Sequence, residues 1–223
     1  MEKFGEKFLS NGNVLFIDTA SDNISACLAR NGKIICSMSK QGGALENMFG
    51  ILNEIFAAAS LNARDISAFG FCRGVGSILG IRTASAALST FRAANKNSAC
   101  FAWDLLKTYA QILKASRSEF AILCPSRKNF ANLLAFENGK VIEKEIASSE
   151  IQGIKLPKYF VEQRKSADKN FENLERVFFN AAEIAEFLLE NEDFAYVCKP
   201  SEILDAAVLA KREYVKWNSP AHS

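Results

Sequence analysis

Two stretches of this sequence bring together residue types that can do chemistry. The first is the run 14–18, Val-Leu-Phe-Ile-Asp, an apolar segment closing on Asp18 and followed by Thr19-Ala-Ser21. A carboxylate and a hydroxyl at the mouth of a strand can coordinate a metal-bound phosphate, and they are equally the residue types that cap a tight turn. The second is 69–82, Phe-Gly-Phe-Cys-Arg-Gly-Val-Gly-Ser-Ile-Leu-Gly-Ile-Arg, where Gly74, Gly76 and Gly80 crowd around Ser77. A glycine turn feeding a helix presents bare N–H groups and a partial positive charge that can hold a phosphate or a carboxylate. The spacing, G-x-G-x-x-x-G, is neither the dinucleotide fingerprint nor a P-loop, and no Lys-Ser/Thr follows it. Glycines at such a turn also allow a strand and a helix to approach closely, and spacing alone leaves both roles open.

Other chemistries are excluded. A single histidine, His222, cannot build a His triad or a His-ligated metal site. The six cysteines (Cys27, Cys36, Cys72, Cys100, Cys124, Cys198) are too widely spread for a zinc knuckle or a C-x-x-C pair, and several lie in apolar runs as small buried hydrophobes. A net charge of +2 gives no electrostatic case for direct nucleic-acid binding. The densest basic group, Arg164-Lys165 with Lys155, Lys158 and Lys169, falls in an expected loop and reads as solvated surface. No stretch approaches the ~20 apolar residues of a membrane helix. The first 13 residues are polar without an apolar core, so a reducing cytoplasm is the expected setting.

The elements that must position these residues follow from periodicity. Residues 24–30 and 33–39 read as strands joined by the Asn31-Gly32 hairpin turn, so the chain opens as an antiparallel meander with Asp18 at its first turn. The spacing of Leu45, Met48, Phe49, Leu52, Ile55 and Phe56 predicts a helix over 45–60, and Ile51 widens its apolar stripe. Residues 68–72 are a strand, the glycine turn follows, and the small-residue run 83–94 is a second helix. A strand at 97–101 leads to a helix at 103–114. Strands are expected again at 119–124, 129–136 and 140–146, with Asn138-Gly139 as a second hairpin turn. After a polar loop over 147–170, the stripe Val177, Phe178, Ala181, Ile184, Ala185 and Leu188 predicts a helix over 174–190, then a strand at 194–198. The segment 204–216 is helix or strand. Two blocks thus begin with an Asn-Gly hairpin and turn helical, which predicts two related α/β lobes, residues 1–102 and 103–223.

In order and type these stretches resemble the TsaB (YeaZ) family, accessory proteins of threonylcarbamoyladenosine synthesis on tRNA. The resemblance rests on 14–21, the Asn31-Gly-Lys33 hairpin, the helix from Leu45 and the turn 72–82, and it covers 14 to about 110. The family's turn reads G-R-G-P-G-S-F-T-G-L-R; Arg73, Gly74, Gly76, Ser77, Gly80 and Arg82 are retained here. Val75 replaces the proline and Ile78-Leu79 replaces Phe-Thr. At 125–132, where the family has Asp-Ala-Arg-x-x-Glu-Val-Tyr, only Arg127 survives. The resemblance implies an actin/hexokinase-like (ASKHA) two-lobe α/β fold, mixed sheets flanked by helices, that has largely lost its nucleotide chemistry. It implies a non-catalytic subunit that binds and activates a TsaD-like protein, with a TsaE-like ATPase joining the complex. The modified base is tRNA adenosine 37, which this chain would meet only indirectly. Partner binding is implied through two N-lobe helices, with a homodimer through the same surface when the chain is alone.

The candidate partner-binding residues on those helices are Leu45, Met48, Phe49, Leu52, Phe56, Ala84, Leu88 and Phe91. A partner face is one explanation of the wide apolar arc, and covering the lobe's own sheet is the other. On the first, Leu52→Asp or Leu88→Asp breaks partner binding and leaves the monomer folded. Asp18, Thr19, Gly74, Gly76 and Ser77 form a vestigial phosphate or nucleotide site, with no cofactor expected beyond a remnant ATP/ADP or Mg. Two alternatives remain: an ASKHA-fold nucleotide-binding enzyme using Asp18 and Ser77, and a diverged self-associating paralogue.

Overall fold

Two Asn-Gly turns set the registers of two β-sheets. Asn31 and Gly32 (φ 50° and 74°) and Asn138 and Gly139 (φ 51° and 72°) both take the left-handed geometry of a two-residue hairpin. In this computed structural model, which describes residues 9, 11–161 and 169–198, the first turn joins β2 (Asn23–Arg30) to β3 (Lys33–Gln41), pairing Arg30 with Lys33. The second joins β7 (Phe130–Glu137) to β8 (Lys140–Ala147), pairing Glu137 with Lys140. The basic pair Arg164-Lys165, the segment 204–216 and His222 lie outside the described residues.

The first sheet adds β1 (Asn13–Asp18) antiparallel to β2, then β4 (Ala68–Cys72) parallel to β1 and β5 (Ala99–Trp103) parallel to β4. The second adds β6 (Phe120–Pro125) antiparallel to β7, then β9 (Lys158–Phe160) parallel to β6 and β10 (Glu175–Arg176) parallel to β9. The orders are β3-β2-β1-β4-β5 and β8-β7-β6-β9-β10, so the second sheet repeats the first strand for strand. Parallel neighbours require crossovers. In the first sheet these are α1 (Ala44–Ala59) and α2 (Ile78–Ala94). Between β8 and β9 the chain has only a 3-10 stretch, Ser148–Gly153.

The last helix of each unit packs against the other unit's sheet. α3 (Leu105–Lys114), which follows β5, lies on β6 and β7, whereas α4 (Ala181–Glu190), which follows β10, lies on β1, β2 and β3. The two helices meet where Tyr109 Oη donates to the Phe179 carbonyl at 3.1 Å and the rings sit edge-on at 5.0 Å. β2 is buried on both faces for this reason. Ser25 accepts from Ala181 N–H of α4, while Cys36, opposite Leu28, donates from Sγ to the Ile55 carbonyl of α1. β11 (Tyr196–Val197) closes the first sheet beside β5. One core therefore runs through both units, joining Phe16, Phe101 and Tyr109 to Phe120, Ile122 and Tyr159. A smaller cluster, with Leu123, Ile146 and Phe160, fills the far face of the second sheet. Among the described residues no helix is long and apolar enough to cross a membrane.

Three expectations need correction. The second helix begins at Ile78 rather than Thr83, because Ser77 Oγ caps it by accepting from Gly80 N–H. The expected helix over 174–190 begins only at Ala181. Asn180 Oδ1 accepts from Ala182 and Glu183 N–H while Glu183 Oε2 accepts from Asn180 N–H, a reciprocal capping box. Val177 instead donates its N–H to the Phe160 carbonyl, and Phe178 is exposed. The strand expected at 194–198 is shorter, since Glu192–Phe194 is a 3-10 turn. Asn180→Ala removes the side-chain half of the box, leaving Glu183 on the backbone N–H, and should lower unfolding stability by about 1 kcal/mol in a denaturant titration, with Asn180→Ser restoring most of it.

Candidate functional site

Because β1 and β4 are parallel neighbours, the turns that leave them meet at one end of the first sheet. They meet backbone to backbone. A Cβ on Gly76 (φ 154°) would lie 2.2 Å from the Ala20 carbonyl oxygen, and one on Gly80 would lie 1.9 Å from that of Thr19. Hydrogen bonds lock the contact. Ser77 N–H donates to the Ala20 carbonyl at 2.7 Å, and Thr19 Oγ1 donates to the Gly80 carbonyl at 2.9 Å. Thr19 and Ala20 have no exposed surface. The structure thus brings Asp18, Thr19, Gly76 and Ser77 together as a close approach of two turns. Two N–H groups that a phosphate would need, those of Ser77 and Gly80, are already engaged.

Asp18 is sealed beneath this contact. Its Oδ1 accepts from Ala20 N–H at 2.8 Å, and its Oδ2 has no partner among the described residues. Burial raises its pKa from 3.8 to about 6, against the lowering effect of the Ala20 N–H. The titratable groups that face it are the neutral Cys72 thiol and Tyr109 phenol, whose pKa values burial also pushes well up. Among the described residues no group of three or more His, Cys, Asp and Glu can hold a metal ion.

The retained arginines do different things. Arg73 makes a two-point ion pair with Asp104, Nη2 to Oδ2 at 2.9 Å and Nε to Oδ1 at 3.4 Å, and lies 4.4 Å over the Tyr196 ring. With Leu105 N–H donating to the Gly74 carbonyl at 2.7 Å, it fastens the glycine turn to the start of α3 and to β11. Arg82 is exposed on α2. Two cavities lie between the units. One of about 190 Å³ is lined by Gly74, Val75, Asp104, Lys107, Glu143 and Glu145. The other, of about 280 Å³, is lined by Ser21, Asn23, Gln41, Val161, Arg176 and Phe178. Both fall short of the ~300–1,000 Å³ usual for a small-molecule site.

The expected partner face divides. Met48, Leu52, Ala84 and Leu88 are buried in the core and are not available to a partner, because α1 packs on β2, β3 and α2 at once. Acid substitution at Leu52 or Leu88 should therefore unfold the chain, contrary to the expectation. Phe56 and Phe91 are half-buried and face each other edge-on at 6.1 Å, joining α1 to α2. Leu45 and Phe49, one helical turn apart, are 60% and 50% exposed. Leu79 at the start of α2, 59% exposed, joins them as a large bare apolar residue that periodicity did not single out. Its signal was the replacement of the family's Phe-Thr by Ile78-Leu79.

No protein-family model matches this sequence, and no curated protein matches it. Solved structures do. YeaZ from Pseudomonas aeruginosa superposes with a TM-score of 0.62 at 15% identity, covering 86% of this chain and 98% of that one. A second structure, described as an uncharacterized protein with similarity to peptidase YEAZ from Pseudomonas aeruginosa, gives 0.61 at 15% identity, covering 86% and 96%.

Two predictions follow from the turn contact. Gly80→Ala has only backbone to displace and should cost at least the ~1–3 kcal/mol of ordinary overpacking, read as a lowered denaturation midpoint. Asp18 has a raised folded-state pKa, so its contribution to stability is complete below about 4 and is lost as pH rises through about 6. At ~1.4 kcal/mol per unit the loss is on the order of 3 kcal/mol. Asp18→Asn, which keeps the acceptor for Ala20, should flatten this fall and stabilise the protein at neutral pH, measured by unfolding from pH 4 to 8.

The duplicated sheets and the match to YeaZ together give this chain the actin/hexokinase-like (ASKHA) two-lobe fold, laid out as in YeaZ.

Proposed function

We propose that this chain is a non-catalytic partner subunit of the TsaB kind. It binds and activates a TsaD-like protein in the threonylcarbamoylation of tRNA adenosine 37, with a TsaE-like ATPase joining the complex. The observation that carries the reading is a YeaZ-like fold whose would-be phosphate turn is filled by its own backbone. A protein that keeps the architecture of a nucleotide machine and closes the pocket has its outer surface left to work with. That surface includes the bare apolar residues Leu45, Phe49 and Leu79 on α1 and α2, the helices through which the resemblance places the partner. In this reading the chain needs no cofactor, works in the cytoplasm, meets tRNA only through its partners, and pairs with itself when alone.

The test is co-purification with the TsaD-like protein of the same genome, with light scattering to fix stoichiometry. A stable heterodimer is expected. Phe49→Asp should weaken it at least tenfold while the circular dichroism and melting profile stay unchanged, whereas Leu52→Asp should lose the fold. Absence of binding by a folded chain overturns the reading. ATP hydrolysis abolished by Asp18→Asn would replace it with an enzyme of the same fold.

A further inference from the structure

β11 runs antiparallel to β5, with Tyr196 opposite Ala102 and Val197 opposite Phe101. The same register sets Cys198 opposite Cys100, and Cys198 N–H donates to the Cys100 carbonyl at 2.9 Å. Residues directly opposed in an antiparallel pair project to the same face of the sheet. As a hydrogen-bonded pair their α-carbons stand about 5.5 Å apart, inside the ~4.4–6.8 Å that a disulfide spans. Both are thiols in this structure. Cys100 is shielded, while Cys198 is half-buried at the sheet edge and within reach of a small oxidant. The two sulfurs sense each other: burial, then Cys198, push the Cys100 thiol up to about 12, with Arg92 drawing it down.

The other cysteines lack this arrangement. Cys36 stands opposite Leu28 and not Cys27, so those two point to opposite faces of the sheet. Cys72 and Cys124 are fully buried.

We propose that Cys100 and Cys198 form a redox-modification site at which a peroxide closes a disulfide between β5 and β11. The Cys198 thiolate attacks the peroxide O–O bond, giving a sulfenic acid, and the departing oxygen leaves as water with the thiol proton. The Cys100 sulfur then attacks the Cys198 sulfur. The S–S bond forms, the S–O bond breaks, and a second water leaves with the Cys100 proton. Two thiols give up two electrons and one hydrogen peroxide becomes two waters. The bond ties the edge strand to the sheet and closes one loop around α3, the whole second sheet and α4.

The experiment treats the reduced full-length protein with stoichiometric hydrogen peroxide, caps remaining thiols with N-ethylmaleimide and maps the disulfides by mass spectrometry. A Cys100–Cys198 linked peptide should be the first disulfide to accumulate and should disappear on reduction with dithiothreitol. It should be lost in Cys198→Ser and retained in Cys36→Ser. The oxidised wild type should melt at a higher temperature than the reduced form, a shift absent from Cys198→Ser. The proposal is overturned if both thiols stay open to alkylation, if Cys198 proceeds to the sulfinic acid without pairing, or if the linked peptide forms as fast in 6–8 M urea as in the folded protein, those being ordinary denaturing concentrations.

Discussion

The carbonyl oxygens of Thr19 and Ala20 press against the α-carbons of Gly80 and Gly76, and much of the molecule depends on that contact. It fixes where α2 begins, since Ser77 is placed both to bond Ala20 and to cap the helix. Beside it Asp18 is fully buried and must carry its charge with a single hydrogen bond, from Ala20 N–H. The contact also gives the glycine turn the close approach that was one of its two open roles. The N–H groups of Ser77 and Gly80 that would cradle an anion are spent on the neighbouring turn and on the helix cap. A buried carboxylate with one oxygen unpartnered among the described residues is costly, and the fold tolerates it because the clamp is made of backbone that cannot retreat.

Arg73 extends the clamp outward. Its ion pair with Asp104 is partly shielded, and its guanidinium stacks on Tyr196, so one side chain touches the glycine turn, the entrance of α3 and the returning strand β11. Asp104 sits at the N-cap of α3 without capping it, its carboxylate being taken by Arg73. The charge complements the helix end all the same. The arginine of the glycine turn thus works in this chain as a structural fastener.

Much of the fold was legible in the residues. The Asn-Gly turns, the 68–72 strand and the first helix fall where local chemistry puts them, and the repeated hairpin announces the duplication. The misplaced boundaries share one cause. Val177 and Phe178 continue an apolar 3.6-residue rhythm, and Gly80 interrupts one, yet a polar residue next to each decides the matter: Asn180 with its Glu183 partner, and Ser77. Capping outweighed periodicity, and its signal was present in Asn-x-x-Glu. The site was less legible because its meaning depends on which surface covers which. The wide apolar arc of α1 reflects two neighbours at once, a sheet and α2, and no pattern within one helix tells a domestic neighbour from a foreign one. The depth of Asp18 likewise arises from contacts sixty positions away in sequence, such as that of Thr19 with Gly80.

The crossing of α3 and α4 bears on the order in which the molecule is made. A ribosome completes β1 to β5 long before it reaches α4, so the face of β1 and β2 that carries Phe16, Ser25 and Cys27 has no cover of its own while the second sheet is being synthesised. The nascent first sheet holds that apolar face open until about residue 190 has left the exit tunnel, whereas the second sheet emerges with its covering helix α3 already made. Such a chain gains little from folding piecemeal. The first sheet is committed to a late closure, and a chaperone or a partner that shields the waiting face has a long interval in which to act.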